Sequence, residues 1–188
     1  MYSGAVRQFG KDFKMTPKLS KTLISKTLET PLGAMLVIAD EEGIYLLEFT
    51  DKPDLNREIQ TVLAQTEATL SEGNGAIIAV LEQELTAYFA GMLKEFKTPV
   101  HFLGTPFQQS IWSCLQTIPY GQTRSYSQQA VLVGKPSAFR AVANAHGANH
   151  LALIVPCHRV IKSDGQLGGY SCGIERKQWL LEHEKQHS

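Results

Sequence analysis

The sequence changes texture at Gly104-Thr105-Pro106, and that break constrains the fold more than any other feature of the chain. Before it, short β-prone runs cover 22–30, 34–40 and 44–49. The breaks between them, Pro31-Leu32-Gly33 and Glu41-Glu42-Gly43, carry the Gly and Pro that hairpins need, which predicts an antiparallel meander. Leu55, Ile59, Val62 and Leu63 recur at helical spacing and predict a helix over 54–65, with a second over 77–90 and a polar loop, 66–75, between them. Residues 98–104 read as a return strand or connector. Residues 1–100 are thus expected to form a small α/β domain, in which the polar, Lys-rich stretch 1–20 is a mobile tail.

After the break the pattern is helical. Thr105 stands at a cap position with Pro106 in the first turn, and Phe107, Ile111, Cys114 and Leu115 share one face of a helix over 106–118, which makes Cys114 a core residue. Pro119-Tyr120-Gly121 stops it. Ser125 caps a second helix over 126–133, Gly134 ends that one, and a third covers 136–146. Two short helices joined by a glycine turn have the form of a helix-turn-helix, with Arg140 on the exposed face of the second. A last helix spans 174–185, with Trp179 assigned to the core. Residues 101–188 form the second expected domain, and the fold class is α+β.

Charge divides at the same place. Residues 1–104 carry 10 Lys and Arg against 14 Asp and Glu, whereas 105–188 carry 8 against 4, so a neutral chain has a basic second half suited to a DNA-facing surface. No window approaches the ~18 consecutive apolar residues of a membrane span, and 1–21 has no signal-peptide hydrophobic core, so a cytoplasmic protein without membrane partners is expected, nuclear in a nucleated cell. Three cysteines without a paired CxxC argue against a disulfide framework and a structural zinc.

The chemistry concentrates at Pro156-Cys157-His158-Arg159-Val160, entered through the apolar run Leu151-Ala152-Leu153-Ile154-Val155. A buried cysteine after such a run is ordinarily core. Here a histidine follows it directly, and a thiol that is only a few per cent ionised at neutral pH needs such a base or a positive field to become a nucleophile. Downstream, Ser163-Asp164-Gly165 turns the chain and Gly168-Gly169-Tyr170-Ser171 exposes main chain and an aromatic face to a ligand. A carboxylate at Glu184, if it reaches His158, would complete a Cys-His-Glu relay.

Taken with Gly104-Thr105-Pro106-Phe107-Gln108, Ser125-Tyr126, Arg140-Ala141-Val142, Asn149 and Gly169-Tyr170-Ser171, the pentapeptide strongly resembles the O6-alkylguanine-DNA alkyltransferases, densely over 104–184 and more loosely before. The resemblance implies an RNase H-like N-terminal domain and a mainly helical, winged-helix-like DNA-binding domain whose helix-turn-helix enters the minor groove. It implies single-turnover repair of double-stranded DNA by direct reversal: a flipped O6-alkylguanine, chiefly O6-methylguanine, gives its alkyl group irreversibly to Cys157. His158 would draw the thiol proton through a water and Glu184 would orient it. Asn149 would brace the turn presenting the cysteine. Tyr126 would protonate the departing guanine, and Arg140 would fill the gap in the duplex, with Ser125 and Ala141 at the DNA surface. Carbonyls of Cys157 and Val160 would read the exocyclic amine, Ser171 would bond O6, and Tyr170 would wall the pocket. No cofactor or metal is implied, and the protein is expected to be monomeric, possibly cooperative on DNA. Cys172 stands where many members have glycine, Ala152 where some have proline, and Gly147 where some have a basic residue. Two other readings stand beside this one: a Cys-His-Glu hydrolase that turns over, and a non-enzymatic lesion sensor, although such sensors lack the acceptor cysteine present here.

Overall fold

The computed structural model describes residues 21–188; the expected tail over 1–20 lies outside the described residues. The meander forms as β1 (Lys21–Leu28), β2 (Met35–Ala39) and β3 (Ile44–Phe49), antiparallel in sequence. The helix α1 (Leu55–Thr66) follows, but the segment expected to be a loop then contains β4 (Ala68–Glu72), paired in parallel with β1, so the sheet order is β3-β2-β1-β4. This corrects the sequence reading. Four of the five β4 residues are exposed, so no apolar alternation announces the strand, and the open edge of β1 supplies its hydrogen bonds.

Helix α2 (Ala76–Phe89) comes next. Every residue of β3 is buried, because both faces of the sheet are covered. Leu23, Ile38, Tyr45 and Leu46 pack with Val62 of α1 on one face. On the other, Val37, Leu47 and Phe49 meet Ile78, Leu81 and Leu85 of α2, and the same apolar cluster continues into the second half through Ile111, Leu115 and Leu151–Val155. The connector over 98–104 makes a single bridge, Ile44 with Val100.

The second half is helical as expected: α3 (Pro106–Gln116), α4 (Tyr126–Leu132), α5 (Phe139–Gly147) and α6 (Ile174–Gln186), with a two-stranded parallel ribbon of β5 (Arg124–Ser125) and β6 (Val160–Ile161). Thr105 and Ser125 each form a complete capping box, with Gln108 and Gln128, which fixes where α3 and α4 begin. The third helix starts at Phe139 rather than Pro136, since Gly134, with φ of +69°, and the turn after it consume the preceding residues. Two assignments to the core need correction: Cys114 is only partly buried, and Trp179 is 36% exposed. The indole lies beside the buried stripe of α6, stacked on His183 with ring centroids 4.8 Å apart. Among the described residues no helix is long and apolar enough to cross a membrane.

Candidate active site

The run 151–155 is a turn rather than a strand. Leu151 bridges to Leu47 of β3, and the chain then reverses with Leu153 at φ of +69°, a left-handed conformation that costs a branched residue of order 1–3 kcal/mol and persists only where the surroundings enforce it. Asn149 supplies part of that enforcement. Its carbonyl oxygen accepts from the Leu151 amide at 3.0 Å, its Nδ2 donates to the Val155 carbonyl at 3.0 Å, and the same Nδ2 lies 3.4 Å from Cys157 Sγ. Cys157 then opens a 3₁₀ turn, Cys157–Arg159, with all three residues buried.

The residues that follow the cysteine belong to a buried charged cluster. His158 Nε2 is 2.8 Å from Glu184 Oε1, with both side chains 0% exposed. Arg159 grips the same carboxylate through Nε at 2.8 Å and Nη2 at 2.9 Å, and Nη1 donates to the Ile118 carbonyl. Tyr88 of α2 donates its hydroxyl to Oε1, and the Gly121 amide donates to Oε2. Burial on its own would raise the Glu184 pKa, but the hydrogen bonds donated by His158 and Arg159, with the positive charge of Arg159, outweigh it and hold the carboxyl well below its usual range. Glu184 is therefore ionised and acts as acceptor, so Nε2 of His158 carries the hydrogen and Nδ1, which has no partner among the described residues, carries the lone pair. Burial also pulls the imidazole pKa down more than Glu184 raises it, keeping the ring neutral with a lone pair on Nδ1.

Above the cysteine a cavity of about 600 Å³ opens, in the size range of small-molecule and base pockets. Cys157, Tyr126, Arg140, Tyr170 and Ser171 all line it. One wall is the strap 168–171, and Gly168 is required there: its φ is +71°, and a Cβ would stand 3.2 Å from Tyr126 Cε2. The Tyr126 hydroxyl has only a long contact, 3.5 Å, to the Gly169 carbonyl, and burial followed by the nearby Cys157 charge raises its pKa. Burial pushes the Cys157 thiol up to about 11, against the opposing pull of the Asn149 donor.

Sequence reasoning thus named residues that the fold divides between two layers, the cavity lining and the buried cluster beneath it. Three others stand elsewhere. The Ser125 hydroxyl is committed to capping α4, Ala141 is exposed on α5, and Val160 is buried in β6. The Val160 carbonyl already accepts from Lys177 Nζ at 2.5 Å, leaving one lone pair for a ligand. Lys177 itself was not foreseen. It is fully buried, binds the Val160 and Gly169 carbonyls, and so ties the strap to the cysteine turn, while burial lowers its pKa to about 8. Its spacing from Leu180 and Glu184 on α6 was the signal, a lysine in a buried stripe. Cys172 was singled out only as a departure; its thiol donates to the buried carboxylate of Glu48 at 3.2 Å. The one group of possible metal ligands among the described residues, Asp40, Glu42 and His101, lies in the first half, where Lys21 Nζ sits 2.6 Å from Asp40.

The chain matches two family profiles: 6-O-methylguanine DNA methyltransferase, ribonuclease-like domain, over 23–102, and the DNA binding domain of the same family over 106–186. It is 40% identical over 158 residues to a methylated-DNA–protein-cysteine methyltransferase of Methanosarcina barkeri, covering 84% of this chain and 94% of that one. With the enzyme of the same name from Mycobacterium leprae it shares 43% identity over 160 residues, 85% and 91% of the two chains. The crystal structure of Mycobacterium tuberculosis OGT in complex with DNA superposes with a TM-score of 0.75 at 39% identity, covering 88% of this chain and 94% of that one.

Proposed function

The chain belongs to the 6-O-methylguanine DNA methyltransferase family, and from that premise we propose how its own residues carry out alkyl transfer. It is a DNA-binding methylated-DNA–protein-cysteine methyltransferase that repairs DNA by direct reversal. The substrate is O6-alkylguanine turned out of the duplex into the cavity. Extrusion costs a few kcal/mol, least for a base that pairs poorly, which gives part of the selectivity. The observation that carries the reading is that Cys157 lines that cavity and shares one buried 3₁₀ turn with His158, whose Nε2 is paired with the buried Glu184.

In the resting protein a thiol near 11 is neutral, with about one molecule in ten thousand ionised at pH 7, equivalent to about 5 kcal/mol against the thiolate. The thiol proton leaves through a water to Nδ1 of His158, whose positive charge is then balanced by Glu184. The sulfur attacks the O6-alkyl carbon; the S–C bond forms, the C–O bond breaks, and the electron pair passes into the guanine ring. Tyr126 donates a proton to the departing base, a general-acid step worth about 10²–10⁴ in rate, and the tyrosinate so formed takes back the proton held by the His158 imidazolium through water, so both groups end neutral. Ser171 bonds O6, Tyr170 walls the base, the Cys157 and Val160 carbonyls meet its exocyclic amine, and Arg140 occupies the vacated position in the stack. The product thioether is neutral and has no internal route back to a thiol, so each monomer acts once.

Incubation with duplex DNA containing O6-methylguanine tests this. Cys157 gains the mass of one CH₂ unit, stoichiometrically and without turnover, and Cys157→Ser gains nothing while still binding DNA. An unmodified protein that hydrolyses peptides or esters would overturn the reading.

A further inference from the structure

Phe139 is the first residue of α5, and its place in the sequence and its place in the structure disagree. The buried residues of that helix are Val142, Ala145 and His146, so Phe139 lies three residues before Val142 and seven before His146, on what the periodicity makes the core side. The ring is nevertheless 51% exposed. It extends past the end of the core at the tip of the second helix of the helix-turn-helix, where it lines the same cavity as Cys157 and Tyr126. The Arg140 guanidinium stands 5.8 Å from its centroid, so an aromatic ring and a planar cation project side by side from one helix start.

An exposed phenylalanine on a DNA-binding surface has a specific use. Proteins of the minor groove insert apolar side chains between base steps, unstacking them and bending the duplex, and a ring gives stacking that a hydrated cation alone does not. We propose that Phe139 is a wedge: its ring enters the base step flanking the extruded nucleotide and holds that step open while Arg140 occupies the vacated position. The inference rests on the alkyltransferase reading of the site. Phe139 touches the nucleic acid but not the reacting atoms, so it sets substrate discrimination and leaves the chemistry alone. It favours alkylguanine held in a duplex, and its contribution is largest where the flanking step stacks most strongly; flexible pyrimidine–purine steps open with less help.

The test compares wild type, Phe139→Ala and Phe139→Leu on three substrates: duplex O6-methylguanine DNA, the same oligonucleotide single-stranded, and free O6-benzylguanine. The second-order rate of Cys157 alkylation is the readout. Phe139→Ala should lose roughly ten- to a hundredfold on the duplex, the range that one base–aromatic stack supplies, and less than about threefold on the other two. Leucine, an apolar wedge without a stacking face, should recover only part of the duplex rate. A duplex rate unchanged in Phe139→Ala overturns the proposal. Equal losses on all three substrates also overturn it, because the ring is then a wall of the base pocket. A wild-type protein that alkylates Cys157 with none of the three removes the alkyltransferase reading itself, a failure distinct from the other two.

Discussion

Replacing Glu184 with Gln is the perturbation that best separates a buried relay from a surface carboxylate. Its side chain is 0% exposed and that of Arg159 is 8% exposed, so the variant leaves a guanidinium in the interior with no counter-charge. Removing one partner of a buried ion pair costs about 3–5 kcal/mol. At about 2–4 °C per kcal/mol for a chain of this size, thermal unfolding followed by circular dichroism should shift down by about 6–20 °C. The amide also presents N–H where His158, Arg159, Tyr88 and Gly121 all donate, so no rotamer satisfies every neighbour. Adding Arg159→Met removes both charges, and the double variant should regain most of the loss, since apolar replacement of a buried pair is often neutral. pH gives an independent readout. A carboxyl held below its unfolded value of 4.5 contributes stability that is complete above that value and is lost as pH falls below it. Wild type should therefore lose the Glu184 contribution in acid, and the glutamine variant should have none to lose. A melting shift under about 2 °C at neutral pH would refute the reasoning, since that is the scale of an exposed substitution.

Burial raises the Cys157 thiol from 9.0 to about 11, so the stability it contributes is present below pH 9 and lost as pH approaches 11. Urea titrations should show the difference between wild type and Cys157→Ser changing by about 2 kcal/mol over that interval, and an invariant difference contradicts the buried-thiol account. Arg140→Ala should slow alkyl transfer from duplex DNA far more than from free O6-benzylguanine, because its proposed task is to fill the stack; equal losses would oppose that task. Cys172→Ala removes the donor to Glu48 and should lower stability by about 1.5–3 kcal/mol, the worth of a hydrogen bond to a charged group, read as the urea midpoint. An unchanged midpoint would mean that Lys52, 2.8 Å from Glu48, satisfies the carboxylate unaided.

The sequence carries its local rules openly and its long-range ones hardly at all. Thr105 with Gln108 and Ser125 with Gln128 mark two helix starts because a capping box is complete within four residues. Strand β4 is invisible because its residues gain little from burial and its pairing partner, β1, precedes it by more than forty positions. The same distance argument applies at the site. His158 beside Cys157 is legible, and Glu184 enters as a partner conditional on its reaching His158, but the grip of Arg159 on Glu184 and the hydroxyl of Tyr88 depend on how α2 and α6 meet. Phe139 shows the opposite failure. Periodicity assigns it inward, but among the described residues none covers the start of α5, and the local rule breaks at the place where the proposed wedge would meet DNA.

Burial of the acceptor thiol looks at first like an obstacle to nucleophilic attack, and in a turnover enzyme it would recur as a cost on every cycle. For a sulfur used once the balance differs. A thiol near 11 resists adventitious electrophiles and oxidants, because those act on the thiolate, and remains unspent until a base fills the cavity. Once transfer occurs, the charged form that the interior disfavours is replaced by a neutral thioether, so the same desolvation that raises the thiol pKa lowers the energy of product relative to thiolate. In the proposed mechanism the proton on His158 rests against Glu184, which is ionised and held by Arg159, only in passing, because burial keeps the imidazole pKa low and the proton moves on to the tyrosinate left at Tyr126. Burial of Cys157 therefore acts twice in the same direction, keeping the sulfur unreactive before the lesion arrives and making its alkylation irreversible afterward.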